Sequence, residues 1–239
     1  MGFFDLPAPL FDRLDSLVEV LPPAVRLMLW GSLGAIMSMA LYRWLSPQER
    51  ISRGKAELAE ARQRLDAHEG EFAEAGPLVR GMLRAAVVQV GRVAGPAILA
   101  SLPLLSLLAW MSTRYGHAWP PSGSTPAIQT VPPLPATWVA EDEALNPHIL
   151  IAGNDRRVIA DVPLEAPVPV IHKRQWWNAL LGNPAGYLPA QGAVERIRID
   201  LPVRQYLPFG PGWARGWELA FFVPLLLVSI AIKVLAGIE

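Results

Sequence analysis

Three long runs of apolar residues dominate the hydrophobic pattern of the chain, and each is long enough to cross a lipid bilayer as a helix. They cover residues 24–45, 94–113 and 214–238. A helix of about 20 residues spans the hydrocarbon core of a bilayer. Charges such as Arg26 and Arg43 stand near the ends of these runs, where long side chains reach the headgroups. The pattern predicts a mainly α-helical membrane protein with three transmembrane helices.

The segment between the first two runs, residues 46–93, repeats its apolar positions every seven residues. These positions, called the seam below, are Ile51, Leu58, Leu65 and Phe72. A narrow apolar seam on an otherwise charged helix is typical of a coiled coil or a helical hairpin. Helix signals predict a start at Ser46-Pro47 and an end at Gly76-Pro77. A solvated amphipathic helix without a partner is the alternative.

The long polar stretch, residues 114–213, differs from the rest of the chain in its proline content. It opens with a Pro/Ser/Gly/Thr-rich part, residues 120–135, which we expect to be an extended linker. Short runs with the character of β-strands follow at 148–152, 157–162, 168–172 and 194–201. Ala152-Gly153-Asn154-Asp155 fits a hairpin turn between the first two runs. A small β-rich domain is therefore predicted outside the membrane.

Tryptophans gather where this polar stretch meets the apolar runs. Trp176 and Trp177 stand among turn-forming residues in the segment 176–189, and Trp213 and Trp217 accompany the start of the third run. Because tryptophan favours the boundary between lipid and water, these four residues are predicted to lie at the membrane interface. For the segment 176–189, the alternative is that its aromatic rings form the core of a small domain.

Basic residues are distributed unevenly around the apolar runs. Residues 43–92 contain nine arginines and lysines, whereas the leader, residues 1–23, contains Arg13 alone against four acidic residues. Cytoplasmic loops carry an excess of basic residues. The expected orientation in a bacterial inner membrane therefore has the N-terminus and residues 114–213 outside, and residues 46–93 and the C-terminus in the cytoplasm. An acidic leader also argues against a cleavable signal peptide.

Composition argues against several classes of function. The chain has 21 basic and 21 acidic residues, so it has no net charge that would attract nucleic acid. It has no cysteine and only four scattered histidines, which leaves no disulfide framework, zinc finger or haem-attachment motif. No G-x-S-x-G, H-E-x-x-H or Walker motif occurs. We therefore expect no enzymatic activity, no catalytic residue, no cofactor and no metal site, and we expect membrane lipid and hydrophobic segments of other membrane proteins as partners.

Arg84 and Arg92, together with Ser101 and Ser106, are candidates for a polar groove in the membrane. The two arginines are eight residues apart, so they project to nearly the same side of a helix. A groove open to the cytoplasm is the functional interpretation. Ordinary anchoring of a transmembrane helix by basic residues at its end is the alternative.

Two phrases and the order of elements indicate a family. Leu102-Pro103-Leu104-Leu105-Ser106-Leu107-Leu108-Ala109-Trp110 is a proline-containing apolar run closed by tryptophan, and Leu207-Pro208-Phe209 precedes the tryptophans that open the third run. With three spans and a charged helical segment between the first two, the chain resembles the YidC-type membrane insertase superfamily. The similarity is to its minimal branch, the archaeal YidC-like proteins and the related subunit of the endoplasmic-reticulum membrane protein complex.

The resemblance implies an insertase or biogenesis factor whose cytoplasm-open groove receives hydrophilic stretches of client proteins. Residues 114–213 depart from that branch, because they are longer than usual and carry the predicted β-rich domain. The second hypothesis is accordingly a non-catalytic scaffold or accessory subunit of an inner-membrane complex that docks a periplasmic partner through this domain.

Overall fold

The computed structural model describes residues 2–67, 72–140, 147–153 and 155–237, with the backbone alone over 72–75. The α-helices of this part of the chain are α1 (Ala8–Leu17), α2 (Pro23–Leu45), α3 (Gln48–Asp66), α4 (Phe72–Tyr115) and α5 (Trp217–Leu235). Three stretches are long and apolar enough to cross a membrane: α2, α5 and Gly76–Tyr115 of α4. The prediction of a mainly helical chain with three candidate membrane spans is confirmed.

The chain divides into two compact units. The first consists of Met1–Leu27 and Leu105–Phe221, and the second of Met28–Leu104 and Phe222–Glu239. The first unit thus contains the leader and every strand found in the described residues, and the second contains α3 and the greater part of the apolar helices.

Helix α4 continues without interruption for 44 residues and contains Pro77, Pro96 and Pro103. At 1.5 Å per residue its length is about 66 Å. The predicted helix end at Gly76-Pro77 is therefore wrong. Pro77 lies near the start of α4, where its missing N–H removes a single hydrogen bond of the helix. Helix α3 ends earlier, at Asp66, and its N-cap is Pro47, one residue after the predicted serine.

The seam lies on the least exposed side of α3. Ile51 is fully buried, and Leu58 and Leu65 are half-buried between exposed charged neighbours. The side chain of Phe72, the fourth seam residue, lies outside the described residues.

Helix α4 lies against this side of α3. The Gln89 side-chain amide donates a hydrogen bond to the carbonyl oxygen of Ile51, at 3.1 Å. Gly54, one turn after Ile51, is buried, and a Cβ atom there would meet the side chains of Gln89 and Arg92. Side chains of α4 thus reach α3 where it carries glycine, beside Ile51 at the start of the seam.

The β-rich part of the first unit, called the β domain below, has two three-stranded antiparallel sheets among the described residues. Its strands are β1 (Ile128–Val131), β2 (Ala136–Val139), β3 (His148–Ala152), β4 (Val158–Pro163), β5 (Val170–His172) and β6 (Arg196–Ile199). One sheet has the order β1-β6-β5, and the other has the order β2-β3-β4. The four strand-like runs of the sequence correspond to β3, β4, β5 and β6, so the prediction of a small β-rich part is confirmed.

The predicted linker at 120–135 is wrong in part, because β1 lies within it. Thr130 of β1 pairs with Ile197 of β6. The Thr130 hydroxyl also accepts a hydrogen bond from the backbone N–H of Leu134, at 2.7 Å, and so stabilises the turn that leads to β2. Pro132 and Pro133 follow the strand directly and conceal it, because a proline-rich stretch of sequence favours an extended linker.

The turn between β3 and β4 falls at the predicted position. The two strands pair in antiparallel register, and the N–H of Gly153 donates a hydrogen bond to the carbonyl of Arg157, at 2.8 Å. Asn154, which belongs to the predicted turn, lies outside the described residues.

The two sheets pack around one apolar core. Its fully buried members are Ile149, Ile151, Leu164, Ile171 and Ile197, with Ile199 almost as buried. Strand β6 shows the expected alternation, because its isoleucines are buried and its arginines are exposed. The sheets are short, so most of the stability of the domain comes from burying these branched side chains.

The segment 176–189 combines both interpretations offered for it. Ala185 and Leu188 belong to the apolar core of the β domain. Trp176, in contrast, is 83% exposed, and Trp177, Leu180 and Leu181 are exposed as well. The end of the segment closes the core, and its beginning forms an apolar tip on the surface.

Candidate functional site

The two arginines proposed for the groove have different surroundings. Arg84 is exposed. Arg92 is half-buried and donates hydrogen bonds to the Glu57 carboxylate, at 3.3 Å, and to the carbonyl of Arg50, at 3.4 Å. Arg92 therefore fastens α4 to α3, whereas Arg84 keeps its charge toward solvent.

The two serines proposed for the groove lie further along α4 than the arginines. Ser101 donates its hydroxyl hydrogen bond to the carbonyl of Ile98 in the same helix, at 2.7 Å. Ser106 is buried. On an α-helix Ser101 also lies about 180° around the axis from Arg92. Ser101 thus lies on the side of α4 opposite Arg92, and the arginines with their immediate neighbours form a separate set.

Those neighbours give α4 a polar face close to the start of its apolar stretch. Arg84, Val88 and Arg92 follow at intervals of four residues and lie along one side of the helix. Gln89, at the edge of this side, is buried, and its side-chain carbonyl oxygen has no hydrogen-bond partner among the described residues. This oxygen lies against Gly54 of α3, because a Cβ atom added there would meet it, so it faces the neighbouring helix and not the exposed side of α4.

Polar contacts also tie the apolar helices of the second unit together. Ser38 of α2 donates a hydrogen bond to the carbonyl of Ala100 in α4, at 3.1 Å, and Arg43 of α2 donates one to the carbonyl of Ala236, just after α5. Gly31, Gly34 and Ala35 form a buried small-residue face on α2. Small residues and hydroxyl groups are the usual means by which helices pack in lipid.

A buried ionic cluster lies in the first unit, and sequence reasoning missed it. Asp15 of α1 is only 1% exposed. Its carboxylate accepts hydrogen bonds from the Tyr115 hydroxyl, at 2.6 Å, and from the Arg26 guanidinium, at 3.1 Å. Arg114 Nε lies 3.9 Å from the same carboxylate. The cluster joins the leader helix to the first turn of α2 and the last turn of α4.

Aromatic rings enclose this cluster. Trp110 donates its indole N–H to the Asp12 carboxylate, at 2.8 Å, and its ring lies 5.5 Å from that of Phe11. Tyr206 donates its hydroxyl to the carbonyl of Tyr115, at 2.9 Å. Burial raises the pKa of the Tyr206 hydroxyl, so it stays a neutral donor. The rings exclude water from the ion pair and strengthen it.

A cavity of about 690 Å³ lies beside the cluster within the first unit. Its lining includes side chains of both charges and two aromatic rings, namely Asp12, Arg114, Glu165, Arg204, Trp110 and Tyr187. This volume is typical of a ligand or peptide site. A lining with both charges suits an uncharged or mixed-charge polar partner.

His117 follows α4 directly and gives this region a pH dependence. Burial lowers the pKa of its imidazole, and the nearby Glu218 carboxylate opposes this effect. The unfolded chain then binds the proton more readily than the folded chain, so stability falls as the pH drops below the ordinary histidine pKa of about 6.5.

We expect the replacement His117→Gln to flatten the dependence of the unfolding midpoint on pH between about pH 7 and 5. Thermal unfolding of detergent-solubilised protein at several pH values measures this. His148→Gln is the matched control, because His148 is a histidine of the β domain whose ring pairs with Asp161 at 2.8 Å. An unchanged slope in the His117 variant would contradict the assignment.

The four predicted interface tryptophans divide into two groups. Trp176, Trp177 and Trp213 are exposed. Trp217 is buried, and its ring lies 6.0 Å from that of Phe221, so it packs inside the protein instead of facing an interface. A tryptophan at the start of an apolar helix does not by itself distinguish these two environments.

Within the described ranges, no group of three or more histidine, aspartate or glutamate side chains is placed to hold a metal ion.

Comparisons with known proteins add no relationship. No protein-family model, no curated protein and no solved structure matches the chain.

Proposed function

We propose that this chain is a YidC-like membrane-protein insertase or biogenesis factor of a bacterial inner membrane. The observation that carries the proposal is the polar face of α4 formed by Arg84, Val88 and Arg92, on which Arg84 and Val88 are exposed. This face lies where the helix passes from its charged part into its apolar part. The exposed guanidinium of Arg84 offers hydrogen-bond donors to a polar segment that is about to enter lipid.

The physical task explains why such a face is useful. A polar group that enters hydrocarbon without a partner costs several kcal/mol. Donors and acceptors held at the edge of the bilayer lower this barrier and require no nucleotide hydrolysis. Arg84 supplies an exposed positive charge for acidic client segments, and Arg92 keeps the α3–α4 pair in place through Glu57.

The apolar helices support the same proposal from the lipid side. In α2, α4 and α5 most residues of the most apolar stretches are not buried inside the chain. Exposed side chains along α5, such as Leu226, Leu227 and Ile230, offer a surface to lipid or to a client helix. A client could therefore leave the polar face sideways into the bilayer.

The proposal requires the orientation with an outside N-terminus. Since the chain contains no cysteine, single cysteines at Ser16, Ser124 and Ala67 can be compared directly. All three positions are exposed. An impermeant thiol reagent added to intact spheroplasts should label Ser16→Cys and Ser124→Cys but not Ala67→Cys. Labelling of Ala67→Cys alone would reverse the orientation and remove the cytoplasmic groove.

Photocrosslinking tests the client-binding face. A photoreactive amino acid at Val88 should capture newly made membrane proteins, whereas the same probe at Val90 should not. Val90 is the matched control, because it is exposed and lies about 200° around the same helix from Val88. Equal capture at both sites, or capture of lipid only, would contradict an insertase.

A scaffold or accessory subunit is the second candidate, and the mixed-charge cavity of the first unit favours it. A photoreactive residue at Glu165, in the cavity lining, separates the two candidates in the same experiment. A single constant partner at Glu165 with no clients at Val88 would favour the scaffold. Many clients at Val88 would favour the insertase.

A further inference from the structure

The leader, which contains α1, exposes most of its large apolar residues and buries one acidic residue, Asp15. Phe3, Leu6, Leu10, Leu14 and Leu17 are between 41% and 76% exposed. Leu10, Leu14 and Leu17 recur at intervals of four and three residues, so they lie on one face of α1. Asp15 and Phe11, on another side of the helix, contact Tyr115 and Trp110. This arrangement is the reverse of that expected for a helix on a water-exposed surface.

The exposed residues continue into the tip of the β domain. The N–H of Phe4 donates a hydrogen bond to the carbonyl of Leu180, at 2.9 Å. Asp5 accepts one from the N–H of Gly182, at 2.6 Å. These bonds place the start of the leader beside the tip that exposes Trp176, Trp177, Leu180 and Leu181. The five apolar leader residues and these four are called the apolar stripe below.

The position of α1 along the chain identifies what covers the stripe. Only residues 18–22 separate α1 from α2, and α2 is a candidate membrane span. The Asp15–Arg26 ion pair, at 3.1 Å, holds α1 against the first turn of that span. The helix is therefore held at the level where α2 enters the bilayer, and the headgroup region lies within reach of its side chains.

We propose that the apolar stripe lies in the membrane interface, with α1 parallel to the bilayer plane and its leucines among the upper acyl chains. A helix with one apolar face that borders a transmembrane span fits such a position. The two tryptophans at the other end of the stripe, Trp176 and Trp177, are suited to the headgroups. The leader carries more acidic than basic residues. The contact therefore depends on apolar burial and needs no anionic lipid. This inference is independent of the proposed insertase activity.

Spin labels on single cysteines test the position. The full chain is reconstituted into zwitterionic phosphatidylcholine vesicles, with labels at Leu10, Leu14, Leu17 and Trp176 and a control label at Ser16. Ser16 is exposed on the same helix but lies off the leucine face. Collision rates with oxygen, which concentrates in lipid, and with a water-soluble nickel complex are then compared. The ratio of oxygen to nickel collisions should be several-fold higher at the stripe than at Ser16.

Two results would overturn the proposal. Stripe labels as accessible to nickel as Ser16 would place the stripe in water, and stripe labels protected from both reagents would place it under protein. A second measurement follows the label at Leu17 in Leu10→Glu/Leu14→Glu and in the charge-matched Arg13→Gln/Ser16→Glu. Only the first pair should lose the lipid signature, and loss in both variants or in neither would also contradict the assignment.

Discussion

Replacement of Asp15 by alanine should lower the free energy of unfolding by about 3–5 kcal/mol, because it leaves Arg26 without its charged partner in a buried position. The Arg26 side chain is 14% exposed, and its Nε atom already lacks a hydrogen bond among the described residues. The Tyr115 hydroxyl also loses its acceptor. Chemical unfolding in mild detergent, followed by near-ultraviolet circular dichroism, measures the change.

Asp12→Ala is the matched control. Asp12 is an exposed aspartate of the same helix, and its carboxylate accepts the hydrogen bond from the Trp110 indole. Its loss should cost about 1 kcal/mol. Asp15→Asn should fall between the two, since the amide oxygen still accepts from Tyr115 but no longer balances the Arg26 charge. Equal costs for Asp12→Ala and Asp15→Ala would contradict the central place given to the ion pair.

Ile197→Ala should destabilise the β domain by about 2–5 kcal/mol, since it opens a cavity in a packed core. Ile197 is fully buried in β6, and this strand pairs with β1 on one side and with β5 on the other. Amide hydrogen exchange should therefore accelerate across all three strands, while the amides of α3 keep their exchange rates.

Arg198→Ala provides the comparison, because the next residue of β6 is exposed. Its effect should remain within about 0.5 kcal/mol. If both variants exchange at the same rate, the apolar core does not hold these strands together.

The elements most accurately predicted from the sequence are those with a strong and simple hydrophobic pattern. The apolar runs at 24–45 and 214–238 correspond closely to α2 and α5. Strand β3 occurs at His148–Ala152, the predicted range. In each case the local pattern and the environment of the residues agree, so no distant contact is needed to fix the structure.

The sequence-based predictions are wrong where the effect of a glycine or proline depends on its position within a helix or strand. Gly76-Pro77 predicted a helix end, but near the start of a long helix a proline removes only one hydrogen bond. The prolines around β1 likewise concealed a strand that is held by its pairing with β6. Such pairing depends on residues about 70 positions away, and the local composition carries no sign of it.

Among the features of the structure, the buried ionic cluster is the one that the sequence predicts least well. By sequence alone, Arg26 is a charge near the end of an apolar run whose side chain reaches the headgroups, and Asp15 is one of four acidic residues in the leader. Their pairing depends on α1 turning back toward the first turn of α2, which brings Asp15 Oδ2 within 3.1 Å of Arg26. An arginine just inside an apolar run is a signal that a nearby acid should be sought, since unpaired charge in lipid is costly.

Pro96 and Pro103 determine where α4 bends most easily. Pro96 and Pro103 leave the carbonyl oxygens of Arg92 and Leu99 without a helical N–H partner. These two carbonyls are seven residues apart, so they lie on one side of the helix. Bending stiffness is lowest at such points. A long helix with two such points on the same side bends more easily in one direction than in the others, so these two positions set the direction in which α4 is most flexible.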